Sequence, residues 1–174
     1  MAPVYTIGHS TRPLEEFVQV LQHYGIDMLV DIRTVPRSRH NPQFEQQALS
    51  KTLPEHGIRY THMRSLGGLR HARKDSINTG WKNASFRGYA DYMQTEEFAS
   101  AVSELIALAT QNTTAIMCAE AVPWRCHRSL VGDALEARGI EVIDIIGGSS
   151  AKPHKMTPWA HVEGTRVTYP PPAH

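Results

Sequence analysis

Short apolar runs alternate along the chain with segments whose apolar residues recur every three or four positions. Five runs have the character of buried strands, at residues 4–7, 28–32, 58–63, 115–117 and 140–146. Each is separated from the next by at least one segment of helical periodicity. Alternation of this kind is typical of a parallel sheet covered by helices. We therefore expect an α/β fold of the three-layer, Rossmann-like type, with a mostly parallel sheet of about five strands and helices on both faces.

Residues that favour helix ends support this pattern. Asn41 followed by Pro42 predicts the start of a helix that contains Phe44 and ends near Pro54. Thr95 is a good N-cap for a later helix, because two glutamates and a clear apolar face follow it. No linker or internal repeat divides the chain. We therefore predict one domain over residues 1–174.

Two parts of the chain depart from the regular alternation. Residues 65–93 are polar, basic and rich in glycine and aromatic residues, which predicts a long functional loop. Residues 149–174 are rich in proline, serine and histidine, which predicts a C-terminal tail. Within this tail, residues 159–169 favour a small hairpin with its turn at Glu163–Gly164.

Composition narrows the class of protein without naming its activity. The 174 residues carry a net charge of +1, so overall charge does not indicate a nucleic-acid partner. The N-terminus lacks a basic segment followed by an apolar one, and no apolar run is long enough to cross a bilayer. The two cysteines are too few for a disulfide scaffold and are read as reduced thiols. We expect a cytoplasmic protein without a membrane partner, and the sequence predicts no particular oligomeric state.

Candidate chemistry collects where three of the predicted strands end. The first strand is followed by His9, Ser10 and Arg12, and the second ends in a group formed by Asp31, Arg33, Arg37, Arg39 and His40. The fourth is followed, within eleven positions, by Cys118, Glu120, Trp124, Arg125, Cys126, His127 and Arg128. Ligands bind beyond the carboxyl ends of parallel strands. These three groups are therefore expected to meet in one cleft.

The arginines of these groups predict an anion site. Arg37, Arg39, Arg125 and Arg128 could bind phosphate through two nitrogens each, and the helix start near Cys126 offers free amide hydrogens. Ser10 and Arg33 join this predicted substrate-binding set. The alternative is that some of these arginines pair with Asp31, Glu120 or surface acids.

A carboxylate at the end of a buried strand is a candidate general acid or base. Glu120 takes that role here, because partial burial would raise its pKa. Asp31, His127 and His9 are the further catalytic candidates. The structural alternative is that Glu120 and Asp31 hold the neighbouring arginines in place.

The two cysteines allow two other chemistries. Cys118 and Arg125 resemble the ends of a phosphatase loop, but six residues separate them and include Glu120 and Pro123 instead of glycines, which disfavours that reaction. Cys126 lies beside basic residues that should lower its pKa, so either thiol could be reactive. Together with a histidine they could bind zinc or iron, but no paired CxxC spacing occurs. We therefore predict no cofactor, with zinc or iron as the alternative.

Aromatic residues could recognise a nucleobase. Trp81 and Trp124 are the predicted stacking residues, and Phe86 and Tyr89, at helical spacing, are expected to pin the long loop to the body instead.

Several of these segments together resemble a known family. They are Thr6–Thr11 (TIGHST), Asp31–Arg33 (DIR) with Pro36–Ser38 (PRS), Leu66–Gly68 (LGG), Phe86–Tyr89 (FRGY), Met117–Glu120 (MCAE), Cys126–Arg128 (CHR) and the late Tyr169–Pro170. This set resembles the bacterial family called domain of unknown function 488, over nearly the whole chain. The resemblance implies a compact cytosolic α/β domain whose site is formed by these motifs. It implies no substrate and no reaction.

The leading hypothesis from the sequence is an enzyme that acts on a phosphate-bearing nucleotide or nucleic acid, by hydrolysis of the N-glycosidic type. Glu120 would serve as general acid or base while arginines bind phosphate. One alternative is a metal- or thiol-dependent enzyme that uses Cys118, Cys126 and His127. Another is a non-catalytic module that binds nucleic acid or another anion through Arg37, Arg39, Arg70, Arg73 and Lys74.

Overall fold

A computed structural model describes residues 2–172 and shows a mixed α/β fold around one sheet of six strands. The strand order is β3-β2-β4-β1-β5-β6. The first five strands pair in parallel and β6 runs antiparallel to β5. The strands are β1 (Val4–Gly8), β2 (Met28–Asp31), β3 (Arg59–His62), β4 (Thr114–Cys118), β5 (Val142–Ile145) and β6 (Ala151–Pro153). The predicted Rossmann-like architecture is confirmed.

Helices cover both faces of this sheet. They are α1 (Leu14–His23), α2 (Gln46–Glu55), α3 (Ala84–Tyr92), α4 (Glu96–Gln111) and α5 (Arg128–Ala137). The apolar residues of α1 and α2 form one core cluster, and those of α3, α4 and α5 form another. No helix within residues 2–172 has the length and apolar character needed to span a membrane.

The strands contribute alternate side chains to the two cores. On β2 and β4, Val30 and Ile116 pack on the side of α3, α4 and α5, whereas Leu29 and Ala115 pack against α1 and α2. All four are fully buried. Burial of a residue of the size of valine, leucine or isoleucine contributes about 1.5–3 kcal/mol. Strands buried on both faces therefore appear in the sequence as continuous apolar runs.

The second helix differs from its prediction. Pro42–Phe44 forms a separate 3-10 turn, and Glu45 adopts an extended conformation before α2 begins. Phe44 therefore lies outside α2, where it is fully buried against α1 and packs edge-on to Phe17 with ring centroids 5.0 Å apart. The Asn–Pro signal starts a turn here because this aromatic contact fixes the chain before the helix.

The predicted loop over residues 65–93 is wrong in its last third, where α3 forms. The side chain of Asn83 caps this helix and accepts hydrogen bonds from the backbone N–H groups of Ser85 and Phe86. Tyr89 and Tyr92 are buried on its inner face. Glycine and polar residues concealed the helix, whose stability comes from this cap and the buried aromatic face.

The C-terminal tail is more regular than its composition suggested. β6 extends the central sheet, which therefore has six strands and not about five. The predicted hairpin forms from β7 (His161–Glu163) and β8 (Arg166–Thr168). Gly164 occupies its turn with φ +61°, a conformation that glycine adopts without strain.

The connections between strands open crevices beside β4. The chain leaves β1 and β2 toward the face covered by α1 and α2, but it leaves β4 toward the face covered by α5. Because β4 lies between β2 and β1, its neighbours on both sides diverge from it. Such a divergence at the carboxyl ends of parallel strands is where α/β folds bind ligands.

Candidate functional site

The segment after β4, residues 119–127, is called here the β4–α5 loop, and it closes the crevice on the side of β1. Parallel pairing continues beyond the strands, since the N–H groups of His9 and Ser10 donate to the carbonyls of Cys118 and Ala119 at 2.9 Å. The carbonyl of Glu120 passes directly over Gly8, where any Cβ atom would overlap it. A glycine is therefore required at the end of β1.

The crevice on the side of β2 stays open and forms a cleft of about 350 Å³, called here the β4 cleft. One wall follows β2, another is the β4–α5 loop, and the segments before and at the start of α3 complete it. Its lining residues are Arg33, Thr34, Val35, Arg37, Gly68, Leu69, Ser85, Phe86, Cys118, Ala119, Glu120, Arg125, Cys126 and His127. Two of the three predicted strand ends thus meet in one cleft.

Arg128 holds the β4–α5 loop in place from inside the protein. Its side chain is fully buried, and it donates to the carbonyls of Glu120 and Ala121, the latter at 3.0 Å. It also donates from Nε to Thr6 Oγ1 at 3.2 Å and from Nη1 to Cys118 Sγ at 2.9 Å. The sequence suggested that Arg128 binds phosphate. The structure instead places its guanidinium within the fold, where it positions the loop.

Asp31 and Arg33 form a buried pair at the end of β2. Arg33 donates from Nε and Nη2 to the two carboxylate oxygens at 2.9 and 2.7 Å, and its Nη2 also donates to the carbonyl of Phe44 at 2.6 Å. The hydroxyl of Tyr60 donates to the same carboxylate. Asp31 is fully buried. The structural interpretation of both residues therefore accounts for their contacts, although Arg33 also reaches the wall of the cleft.

The residues after β1 do not line the β4 cleft. His9 stacks on Phe44 with ring centroids 4.5 Å apart, and its Nδ1 lies 2.8 Å from the carbonyl of Ser10. Burial lowers the pKa of His9, and the nearby Arg33 contributes in the same direction. Ser10 has φ +53° and supports this turn. Arg12 folds back to donate to the carbonyls of Gly8 and Ile146.

The two cysteines lie together at the floor of the cleft. Both are free thiols, with exposures of 1% for Cys118 and 6% for Cys126. Burial raises the pKa of Cys118, but a hydrogen bond from Cys126 and the charge and hydrogen bond of Arg128 outweigh it and lower the pKa to about 7. Burial and the neighbouring Cys118 raise the pKa of Cys126. The sequence predicted a lowered pKa for Cys126, whereas the structure raises the pKa of Cys126 and lowers that of Cys118 through the contacts of Arg128.

His127 is held as a neutral imidazole. Burial lowers its pKa to about 4. Its Nε2 lies 2.9 Å from the carbonyl of Ile32, which requires a proton on Nε2 and leaves Nδ1 as an acceptor. Nδ1 is 3.5 Å from Cys126 Sγ, and the ring packs against Tyr89 at 5.0 Å. His127 therefore joins the loops after β2 and β4, and it binds no additional proton near neutral pH.

Three charged side chains at the mouth of the cleft remain open to solvent. Glu120, Arg37 and Arg125 are exposed and line the cleft together. None of them belongs to an ion pair in the described part of the chain. Arg39 is exposed but does not line the cleft. The partial burial that the sequence predicted for Glu120 does not occur.

The two tryptophans contribute to a neighbouring cleft of about 570 Å³. Trp81 packs against Phe86, Trp159 and Tyr169, with centroid distances of 5.0, 4.8 and 5.5 Å. Trp124 is 65% exposed. The 3-10 turn Pro123–Arg125 separates the two clefts, with Trp124 on one side and Arg125 on the other.

The clustered ligands needed for a metal site are not found. Within residues 2–172, no group of three or more His, Cys, Asp and Glu side chains is arranged to hold a metal ion. The zinc or iron alternative requires such a group, so the geometry does not support it.

A buried polar cluster next to the second cleft was not predicted from the sequence. His154 lies 2.9 Å from Asp144 through Nδ1 and 2.9 Å from Asp133 through Nε2. Asp133 also accepts a hydrogen bond from the hydroxyl of Tyr169 at 2.7 Å, and Asp144 accepts one from Thr6. The sequence held one signal of this cluster, because Asp133 is an acidic residue among the apolar positions of the helix predicted after the fourth strand.

The cleft residues Thr34, Val35, Leu69 and Ser85 were also missed. Thr34, Val35 and Leu69 belong to irregular segments without periodicity, and Ser85 lies in the first turn of α3, which was not predicted. Their neighbour Gly68 was noted only as part of a motif, and Phe86 was noted as part of a motif and as a residue expected to pin the long loop. The signal was therefore the grouping of these motifs, not the chemistry of the individual residues.

Comparison with known proteins gives one match. No curated protein and no solved structure is significantly similar to the chain. The model of the family described as "Domain of unknown function DUF488" matches residues 13–135, which include the cysteine pair, Glu120 and the start of α5. The chain therefore belongs to the DUF488 family.

Proposed function

We propose that the protein is an enzyme that binds a phosphate-bearing nucleotide or nucleic-acid segment in the β4 cleft and hydrolyses it. The observation that carries this proposal is the placement of Glu120, Arg37 and Arg125 at one cleft mouth without ion-pair partners in residues 2–172. Exposed arginines bind phosphate through paired hydrogen bonds. An exposed carboxylate in the same cleft can activate water or stabilise a developing positive charge.

The contacts of the other candidates narrow this mechanism. Asp31 is committed to Arg33 and Tyr60, and His127 has its Nε2 committed to a carbonyl and a pKa of about 4. Both side chains are engaged within the fold, so Glu120 is the catalytic residue of the proposal. Trp124 projects beside Arg125 and would stack on a base while the phosphate binds in the cleft. The proposal places this reaction in the cytoplasm.

The proposed binding module without catalysis receives less support from the contacts. Arg73 pairs with Asp75 at 2.9 Å, and Arg70 lies 3.6 Å from the ring centroid of Tyr92. These two arginines of the predicted basic set are therefore partly engaged within the chain.

The test uses a panel of nucleosides, nucleoside monophosphates and short oligonucleotides, with release of free base and of phosphate as the readouts. Glu120→Gln should abolish turnover and leave the melting temperature unchanged, because the side chain is exposed. Arg37→Ala and Arg125→Ala should raise KM more than they lower kcat. Glu104→Gln, an exposed glutamate on α4, is the matched control. Full activity of Glu120→Gln, or no release by the unmodified protein from any member of the panel, would refute the proposal.

A further inference from the structure

The two thiols of the β4 cleft are brought together by the fold of the β4–α5 loop. Cys118 is the last residue of β4, and Cys126 follows the 3-10 turn Pro123–Arg125. Hydrogen bonds from Arg128 to the carbonyls of Glu120 and Ala121 fix the path of the chain between them. As a result both thiols line the same cleft, and Cys126 is close enough to lower the pKa of Cys118.

Their surroundings are chemically unequal. Arg128 Nη1 donates to Cys118 Sγ at 2.9 Å, which stabilises a thiolate at that sulfur. Cys126 Sγ lies 3.5 Å from the neutral Nδ1 of His127, and burial raises the pKa of its thiol. Cys118 is therefore the sulfur prepared for nucleophilic attack, and Cys126 is the one that stays protonated.

We propose that Cys118 is oxidised by hydroperoxides and that Cys126 resolves the product to a reversible disulfide. The Cys118 thiolate attacks one oxygen of the peroxide, the O–O bond breaks, and an alcohol or water leaves after taking a proton from solvent. Cys118 becomes a sulfenic acid. The sulfur of Cys126 then attacks Cys118, an S–S bond forms, and the hydroxyl group leaves as water with the proton of the Cys126 thiol. An external dithiol reduces the disulfide.

The geometry restricts the oxidant to small molecules. The sulfurs lie at the floor of a cleft of about 350 Å³, and their residues are 1% and 6% exposed. Hydrogen peroxide and short alkyl hydroperoxides fit this access. Disulfide formation also removes the thiolate from Arg128, which holds the loop that carries Glu120.

Mass spectrometry of the intact protein tests this proposal. After treatment with hydrogen peroxide, the unmodified protein should lose two hydrogen atoms and regain them with dithiothreitol. Cys126→Ser, which retains a hydroxyl donor, should instead accumulate a sulfenic acid at Cys118 that is trapped by dimedone. Cys118→Ser should stay reduced under the same treatment. Thermal unfolding of each variant checks that the fold is retained.

A second measurement follows the thiolate directly and does not depend on the formation of a disulfide. The rate of alkylation of Cys118 by iodoacetamide in Cys126→Ser should reach half its maximum below the pH of about 8.5 typical of a free cysteine. Glu120→Gln should oxidise like the unmodified protein, so that this proposal and the hydrolytic one can fail separately. Oxidation of Cys118→Ser at the rate of the unmodified protein would overturn the proposal, as would free alkylation of both thiols after peroxide treatment.

Discussion

Protonation of His154 should stabilise the protein by about 3 kcal/mol. The imidazole lies between the carboxylates of Asp133 and Asp144, at 2.9 Å from each, and its side chain is 4% exposed. Burial alone would lower its pKa, but hydrogen bonds and charge from both aspartates raise it to about 9. A rise in the pKa from the ordinary value of 6.5 to about 9 corresponds to about 3 kcal/mol of unfolding free energy. A pKa difference of one between the folded and unfolded states corresponds to about 1.4 kcal/mol.

The direction of the pH dependence follows from which state binds the proton more tightly. Between pH 6.5 and about 9 the folded protein keeps the proton on His154, whereas the unfolded chain releases it. The stabilisation is therefore complete below about pH 6.5 and is lost as the pH rises through about 9.

Urea unfolding at about pH 6 and about pH 9.5 measures this contribution, with His154→Gln as the variant that cannot titrate. Cys118 contributes in the opposite direction, because its pKa is lowered to about 7 and its thiolate adds stability as the pH rises. The comparison is therefore the difference between the unmodified protein and the variant at each pH. That difference should shrink by about 3 kcal/mol from the lower pH to the higher one.

The same proton can be observed without a substitution. If His154→Gln unfolds because two buried aspartates lose their partner, the ring protons of His154 in the unmodified protein still report its pKa by NMR. A titration midpoint near 6.5 would refute the reasoning, because it would mean that the two carboxylates do not hold the proton. An unfolding free energy whose pH dependence is identical in variant and unmodified protein would refute it equally.

Three further substitutions test single contacts through the free energy of unfolding. Asp31→Asn should cost about 3–5 kcal/mol, because it leaves the guanidinium of Arg33 buried without its carboxylate, and an unchanged urea midpoint would contradict this. Thr95→Ala should cost about 1 kcal/mol, since its hydroxyl accepts the N–H of Phe98 at 3.2 Å, and a loss below the error of the measurement would count against the cap. Gly68→Ala should cost about 1–3 kcal/mol, because the new Cβ would lie 2.5 Å from Nδ1 of His127, and retained stability would show that the imidazole can move away.

The sequence predicted the fold well where strands are buried on both faces. The apolar runs at residues 28–32 and 115–117 indicated central strands, because a central strand of a parallel sheet is buried on both faces. β6 was missed because it is an edge strand of three residues that contains Pro153, and edge pairing leaves no apolar pattern. α3 was missed because its glycine and polar residues weaken the helical signal, while its stability depends on tertiary contacts.

The sequence predicted where the site lies, but not which of its residues are exposed in the cleft and which are buried within the fold. Polar residues after β2 and β4 indicated the β4 cleft, because parallel strands share one carboxyl edge. The sequence could not show which arginines stay exposed. Arg128 and Arg125 are three positions apart, yet one lies inside the loop and the other at the mouth of the cleft. That difference depends on backbone carbonyls that only the folded loop presents.

Thr6 links the two polar systems of the protein. Its hydroxyl donates to Asp144 and accepts a hydrogen bond from Arg128 Nε at 3.2 Å. Asp144 contacts His154 from the C-terminal tail, and Arg128 contacts Cys118 and the β4–α5 loop. Buried hydrogen-bonded groups polarise one another and resist separate rearrangement. Although the match to the DUF488 family ends at residue 135, the tail beyond it therefore helps to orient the guanidinium that donates to Cys118 Sγ.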